Sequence, residues 1–237
     1  MRRPRTGVPP PERRDAAHHG STEARDAHVM GTGMDAQGWD EVYAAAAGHG
    51  VWARSAPRVI VEAVQALPPG RALDIACGEG RVTRLLLELG WTVTAVDFSA
   101  QALALARRLA TVGGERVTWL EADVLRLPPL PGHDLVVITY LHLPEPDLRR
   151  VLATAIASLA PGGILLVLGH DLENLTTGAP GPTEPAVLYT PELLADAATG
   201  LTVLRCERLR RGSDDPEAAG IAAPVAVDAL LVARAAT

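Results

Sequence analysis

The ten residues Ala72-Leu-Asp-Ile-Ala-Cys-Gly-Glu-Gly-Arg81 constrain the fold more than any other stretch of this chain. Arg71 to Ala76 is an apolar run broken only by Asp74, and it reads as a buried strand. Gly78 and Gly80 follow at the spacing of a tight turn whose bare backbone can approach a ligand. Val82, Leu85, Leu86 and Leu89 then recur at helical spacing as far as Gly90. Trp91 to Asp97 is a second strand ending in a carboxylate, 19 residues after Gly78. An acid gripping a ribose stands there in a dinucleotide-binding βαβ unit.

Asp74 sharpens this turn. A pyrophosphate is held by backbone N–H groups and a positive helix end, so a carboxylate inside the strand just before the turn brings it nothing. Thr83 also stands where a dinucleotide fingerprint has Gly or Ala. S-adenosylmethionine has no phosphate and carries an ammonium and a sulfonium, which matches an acid at that point. The structural alternative is a glycine-rich turn with a solvated acid.

Downstream, strands and helices alternate. Ser99 caps a helix through Leu103, Leu105 and Leu109, ending before Gly113-Gly114. Arg116 to Leu120 is strand three, ending in Glu121-Ala-Asp123, and Asp134 to Thr139 is strand four, delivering Tyr140, His142 and Leu143. A helix from Glu145 leads to Pro161-Gly162-Gly163, which turns into strand five, Ile164 to Gly169. His133, before strand four, reads as surface. Nearly all-apolar strands between helices mean a parallel sheet covered on both faces, with ligands bound at the strands' carboxyl ends. Asp74, Asp97, Asp123, Tyr140, His142, His170 and Asp171 all fall at that edge. Asp171 to Tyr189 is a long irregular loop suited to lining an acceptor pocket. Thr190-Pro191 starts a short helix. Leu201–Arg208 and Val225–Arg234 read as an antiparallel pair closing the sheet edge.

Residues 1–33 hold four prolines, six arginines and four acids with almost no apolar periodicity, so they read as a disordered tail before a domain over 34–237. Met30 and Met34 leave open that the native chain starts later. At Gln37 to Tyr43, Trp39, Val42 and Tyr43 lie at helical spacing. The bland reading is a helix on the core edge. The functional one is a cap in which Trp39, Tyr43 or Trp52 closes over a bound cofactor, with Tyr43 and Trp52 reaching the acceptor. A net charge of −6 argues against a nucleic-acid-binding surface. Two cysteines, Cys77 and Cys206, make neither a disulfide framework nor a metal site, and a reducing cytoplasm fits. No apolar run approaches a membrane span, and no signal peptide is readable. Oligomeric state is not legible.

With the glycine turn, Asp97, Asp123 and the Pro-Gly-Gly turn in place, residues 37–235 resemble a class I S-adenosylmethionine-dependent methyltransferase. The tellurite-resistance-type branch is the most similar. Leu73 to Arg81, Gly90 to Ser99, Tyr140-Leu-His-Leu143, Leu159 to Gly163 and Gly169 to Thr176 carry the resemblance. It implies a doubly wound, Rossmann-like α/β fold with a seven-stranded, mostly parallel sheet, an antiparallel last strand and helices on both faces. It further implies that Ala76, Gly78 and Gly80 pass along the cofactor's methionine part, with Asp74 favouring its ammonium. Asp97 would take the ribose hydroxyls and Phe98 would flank the adenine. Asp123 and Val124 would meet the adenine amino group and ring, and Tyr140 joins this cofactor set. Ala76 replaces the usual glycine, which is tolerable with a negative φ. Val82-Thr83 replaces the Asn-Ala common in this branch, which leaves the acceptor open.

Methyl transfer from a sulfonium is an in-line displacement, and holding the acceptor against the methyl supplies much of the acceleration. Where the acceptor must lose a proton, His170 and His142 are the candidate bases. For His142 the bland reading is a hydrogen-bonded turn residue, and for His170 an imidazole holding the loop in register. Asp171, Asn174 and Tyr189 are the acceptor-site candidates beside His170. The leading reading is an enzyme methylating a small molecule. The alternatives are a non-catalytic protein that binds the same cofactor, and a nicotinamide-dependent oxidoreductase, against which Asp74 and Thr83 speak.

Overall fold

A computed structural model describes residues 35–45, 55–177, 179, 181–211 and 225–237. The tail 1–33 and Trp52 lie outside the described residues. Seven strands form one sheet in the order β3-β2-β1-β4-β5-β7-β6. They are β1 (Arg71–Ile75), β2 (Thr92–Asp97), β3 (Val117–Glu121), β4 (His133–Thr139), β5 (Leu159–His170), β6 (Thr202–Arg211) and β7 (Ala226–Arg234). The first five pair in parallel, and β7 runs antiparallel to both β5 and β6. The antiparallel last strand is as expected, and β7 and β6 do pair. Within this closing pair the last strand is interior and β6 is the edge. Composition explains the order: β7, Ala-Val-Asp-Ala-Leu-Leu-Val-Ala-Arg, is buried almost throughout. β6 carries five charged residues and is mostly exposed, as an edge that must not pair with another chain requires.

Alternation along the inner strands feeds two cores. Val136 and Ile138 of β4 face one side, where α5 (Glu145–Ala157) and α7 (Pro191–Ala197) pack through Leu148, Val151, Leu152 and Leu194. Leu135 and Val137 face the other side, where α2 (Arg58–Gln65), α3 (Arg81–Glu88) and α4 (Ala100–Leu109) bring Ile60, Val64, Leu86 and Leu103. The side-chain oxygens of Ser99 and Thr190 cap α4 and α7, accepting from Ala102 N and Leu193 N at 3.0 and 3.1 Å. A first helix, α1 (Ala36–Ala45), contacts α4, and a single turn, α6 (Asn174–Thr177), follows β5.

Two local expectations change. The Pro161-Gly162-Gly163 turn is absorbed into β5, which pairs with β4 from Leu159 on through a register shift at this point. Gly162 takes φ +74 there. His133 is buried, not on the surface. It opens β4 opposite Leu159, and its Nδ1–H donates to Leu130 O at 2.7 Å, because the proline loop folds back over the strand's start.

Candidate functional site

The first half of the site is the turn between β1 and α3. Cys77 N donates to Val96 O and Gly80 N to Cys77 O, both at 2.9 Å, which closes the turn against β2. Gly78 and Gly80 adopt φ +53 and +75, and Ala76 adopts φ +57. The negative φ expected of Ala76 is therefore corrected. A left-handed alanine costs roughly 1–2 kcal/mol, and the bonds on either side impose it. Gly80 also serves packing: a Cβ there would lie 3.0 Å from Ala106 Cβ and 3.3 Å from the Trp119 ring.

Asp74 is wholly buried beneath this turn. Thr83 Oγ1 donates to its Oδ2 at 2.6 Å, which is what the hydroxyl does at a position where glycine or alanine was the comparison. Oδ1 has no partner. Burial pushes the Asp74 carboxyl up to about 7, with Thr83 pulling the other way and Asp97 adding to the rise. The folded state therefore holds a proton that the unfolded chain has released. This group alone lowers stability as pH rises from the unfolded pKa of about 4 towards the folded one of about 7. Asp74→Asn, which removes that titration, is expected to gain melting temperature relative to the parent on going from pH 5 to pH 8. A difference that stays flat across these pH values would show that Asp74 ionises freely.

Asp97 ends β2, 6% exposed. Its Oδ2 accepts from Gly78 N at 2.8 Å and its Oδ1 from Ser99 N at 2.9 Å. Burial raises its pKa against these bonds. Each oxygen keeps a second lone pair for a ligand hydroxyl. Phe98 is half-buried beside it. Asp123 follows β3, its Oδ1 accepting from Leu125 N at 2.9 Å, and Val124 is half-buried against the core. α1 lies across the turn: Asp40 Oδ1 accepts from Ser99 Oγ at 2.5 Å and Gln101 N at 3.1 Å. The Tyr43 hydroxyl sits where a Gly78 Cβ would be only 2.8 Å away. Of the two places the sequence offered Tyr43, over the cofactor and at the acceptor, it lies at the glycine-turn half.

The second half gathers at the ends of β4, β5, β6 and β7. Tyr140, φ +55, donates its hydroxyl to Asp228 Oδ2 at 3.0 Å. Its ring lies 4.9 Å from that of His170, and the Arg81 and Arg211 guanidinium carbons stand 5.0 and 5.9 Å from its centre. The His142 and His170 rings stack at 5.2 Å and 5°. Asp228, 1% exposed, takes His170 Nδ1 at 3.2 Å and Arg211 Nε at 2.8 Å. Burial opposes ionisation of Asp228, but the His170 and Tyr140 hydrogen bonds and the Arg211 charge outweigh it and hold its pKa below the usual range. His142 donates from Nδ1 to Val187 O at 3.1 Å, while its Nε2 is buried without a partner. Burial, then the neighbouring His170, lowers its pKa to about 3, so His142 is neutral near pH 7 and a weak base.

Three acceptor-site expectations are corrected. Asp171 is fully buried, and its Oδ1 accepts from Arg208 Nε at 3.0 Å and Glu173 N at 2.8 Å. Asn174 exchanges two hydrogen bonds with the Val227 backbone, at 2.8 and 2.7 Å. Tyr189 is buried and donates to Leu141 O, and burial pushes its hydroxyl pKa up. These side chains pin the 171–189 loop to β6, to β7 and to the residues after β4, and only Asp171 Oδ2 among their polar atoms is buried without a partner. Gly181 is thereby laid over His170: a Cβ there would lie 3.3 Å from Nε2.

Residues 72–163 match the family model described as a methyltransferase domain. A demethylmenaquinone methyltransferase of Thermus thermophilus is 38% identical over 120 residues, 49% of this chain and 53% of that protein. A trans-aconitate 2-methyltransferase of Streptomyces avermitilis is 37% identical over 101 residues, 41% and 38% of the two. The chain thus spans about half the length, or less, of the curated relatives it matches. Among solved structures, TehB of Haemophilus influenzae superposes with a TM-score of 0.60 at 17% identity, over 75% of this chain and 61% of that one. The N-methyltransferase NodS of Bradyrhizobium japonicum gives 0.58 at 18%, over 76% and 93%. At these identities the likeness is one of fold, and the fold is that of class I methyltransferases.

The matched stretch holds the glycine turn, Asp97, Asp123, Tyr140 and His142. His170, Arg211 and Asp228 come from the chain beyond it. Asp228 and Arg211 escaped sequence reasoning. The only signal was a lone carboxylate in the apolar run Val227-Asp-Ala-Leu-Leu-Val, and nothing local ties it to residue 170. Tyr140, expected at the cofactor, joins this second cluster, with Arg81 over its ring linking the two halves. Among the described residues no group of three or more His, Cys, Asp or Glu could hold a metal, and no helix is long and apolar enough to cross a membrane.

Proposed function

We propose that this chain is an S-adenosylmethionine-dependent methyltransferase acting on a small-molecule acceptor. The observation that carries the reading is Asp74: a buried carboxylate with one unpartnered oxygen beneath the glycine turn of a methyltransferase domain. A buried carboxyl whose pKa stands at about 7 takes its charge most readily beside a cation, so it suits a cationic amino-acid moiety and not a pyrophosphate. When bound, S-adenosylmethionine supplies an electrophilic methyl group on sulfur. Asp97 would hold the ribose hydroxyls through its remaining lone pairs. Phe98, Asp123 and Val124 would receive the adenine, and Ala76 and Gly78 would let the backbone pass close to the methionine part, with Tyr43 covering the turn. His170 would accept a proton from the acceptor at the far end, and His142, neutral with a buried and unpartnered Nε2, would line the site beside it. The relatives are named for small acceptors, which supports that class here. The net charge of −6 speaks against nucleic acid as the acceptor. Unpaired Cys77 and Cys206 fit a cytoplasmic location.

The test is a melting-temperature comparison of S-adenosylhomocysteine with NADH. A ligand at 100 times its Kd stabilises by about 2.7 kcal/mol, so S-adenosylhomocysteine is expected to raise the melting temperature and NADH to leave it unchanged. The reverse pattern would replace the methyltransferase reading with the oxidoreductase one. Labelled S-adenosylmethionine offered with thiols, phenols, amines, carboxylates and chalcogen oxyanions then identifies the acceptor.

A further inference from the structure

His170 and Asp228 are separated by 58 residues in sequence and are direct register partners on β5 and β7. Directly opposed residues of an antiparallel pair project on one face with their Cβ atoms about 5 Å apart. The pairing therefore places the imidazole and the carboxylate together at the carboxyl edge, 3.2 Å between Nδ1 and Oδ1. The two Asp228 oxygens are not equivalent. Oδ2 accepts from Tyr140 Oη at 3.0 Å and lies in an ion pair 2.8 Å from Arg211 Nε, while Oδ1 faces His170. A carboxylate oxygen only accepts, so His170 Nδ1 must carry its proton. Arg211 Nη2 stands 3.5 Å from Nδ1 and 3.4 Å from Oδ1, and as a donor it is better served by the carboxylate.

We propose that Asp228 is the positioning residue of this site: held by Arg211 and Tyr140, it fixes His170 as the Nδ1–H tautomer and leaves the Nε2 lone pair for an acceptor that must lose a proton. This rests on the methyltransferase reading. It narrows the acceptor class to protic nucleophiles, such as a hydroxyl, and excludes those already anionic. In the step, His170 Nε2 takes the acceptor's proton as the acceptor's electron pair forms the bond to the methyl carbon. The carbon–sulfur pair returns to sulfur, and the products are methylated acceptor, S-adenosylhomocysteine and an imidazolium that passes its proton to solvent. Asp228 stabilises that imidazolium, as the carboxylate behind a general-base histidine does in hydrolase triads. Gly181 leaves room beside Nε2, where a Cβ would stand at 3.3 Å.

The experiment reads the tautomer directly by long-range ¹H–¹⁵N NMR of the imidazoles, with the His170 signals assigned by their absence from His170→Gln. The wild-type protein is expected to show a protonated Nδ1 and a bare Nε2. In Asp228→Asn, the closer contact of the Arg211 cation, 2.8 Å at Oδ2 against 3.4 Å at Oδ1, and the Tyr140 donor hold the amide oxygen at the Oδ2 position, so the amide NH₂ faces His170. Nδ1 must then accept, and the tautomer is expected to reverse, with turnover of a protic acceptor falling on the order of 10²-fold or more. Tyr140→Phe, which removes one donor from Oδ2 and none from Oδ1, is expected to keep the wild-type tautomer. A wild-type His170 protonated on Nε2 overturns the proposal whether or not Asp228→Asn folds, and so does a folded Asp228→Asn that retains Nδ1–H. S-adenosylhomocysteine binding is measured separately on the same samples. Its absence sinks the methyltransferase reading, whereas binding with the wrong tautomer sinks only the role of Asp228.

Discussion

His170→Ala is expected to lower turnover at saturating acceptor on the order of 10²-fold, with S-adenosylhomocysteine affinity little changed. The imidazole lies at the far end of the edge from Asp97, among Tyr140, His142 and Asp228, so its removal leaves the glycine turn intact. Deleting it opens a gap beside His142 and leaves Asp228 with Arg211 and Tyr140, so the carboxylate keeps charged and hydrogen-bonding partners. A melting temperature lower by a few degrees is the expected structural cost. Steady-state kinetics with the identified acceptor, alongside calorimetric titration of S-adenosylhomocysteine, separates the two effects. A folded His170→Ala enzyme with full turnover would refute the base and would point to an acceptor that is already an anion.

Asp97→Ala is expected to weaken S-adenosylhomocysteine binding at least tenfold and also to destabilise the fold. Hydrogen bonds to a charged group contribute roughly 1.5–3 kcal/mol each, which covers the loss of ribose contacts. The second effect follows from the structure: both Asp97 oxygens already accept backbone N–H groups, from Gly78 and Ser99, and alanine would orphan them in a buried turn. An unsatisfied buried N–H costs about 1–3 kcal/mol. The sequence alone suggests an intact fold in this variant, and the two hydrogen bonds argue otherwise. Asp97→Asn, which retains one accepting oxygen, should fall between parent and alanine in melting temperature. Unchanged affinity in a folded Asp97→Ala protein would mean that the ribose sits elsewhere.

Local chemistry alone determined the order of strands and helices, the glycine turn, the acids ending β2 and β3, and the caps Ser99 and Thr190, because burial periodicity and capping act over a few residues. Tertiary structure decided the rest. The interior place of β7 depends on which strand tolerates burial on both faces, a comparison between segments rather than within one. The left-handed Ala76 is imposed by bonds from neighbouring residues to β2 and within the turn. Asp171, Asn174 and Tyr189 stand where a pocket was expected, but a loop packed against β7 consumes its own polar groups. His142 and His170 read alike in sequence, yet burial leaves one neutral while the other is set against a carboxylate. That carboxylate, Asp228, meets His170 only through the β5–β7 register, and Arg211 arrives from the β6 edge. Register is a property of paired strands, so no spacing along the chain encodes which residues will share a hydrogen bond across it.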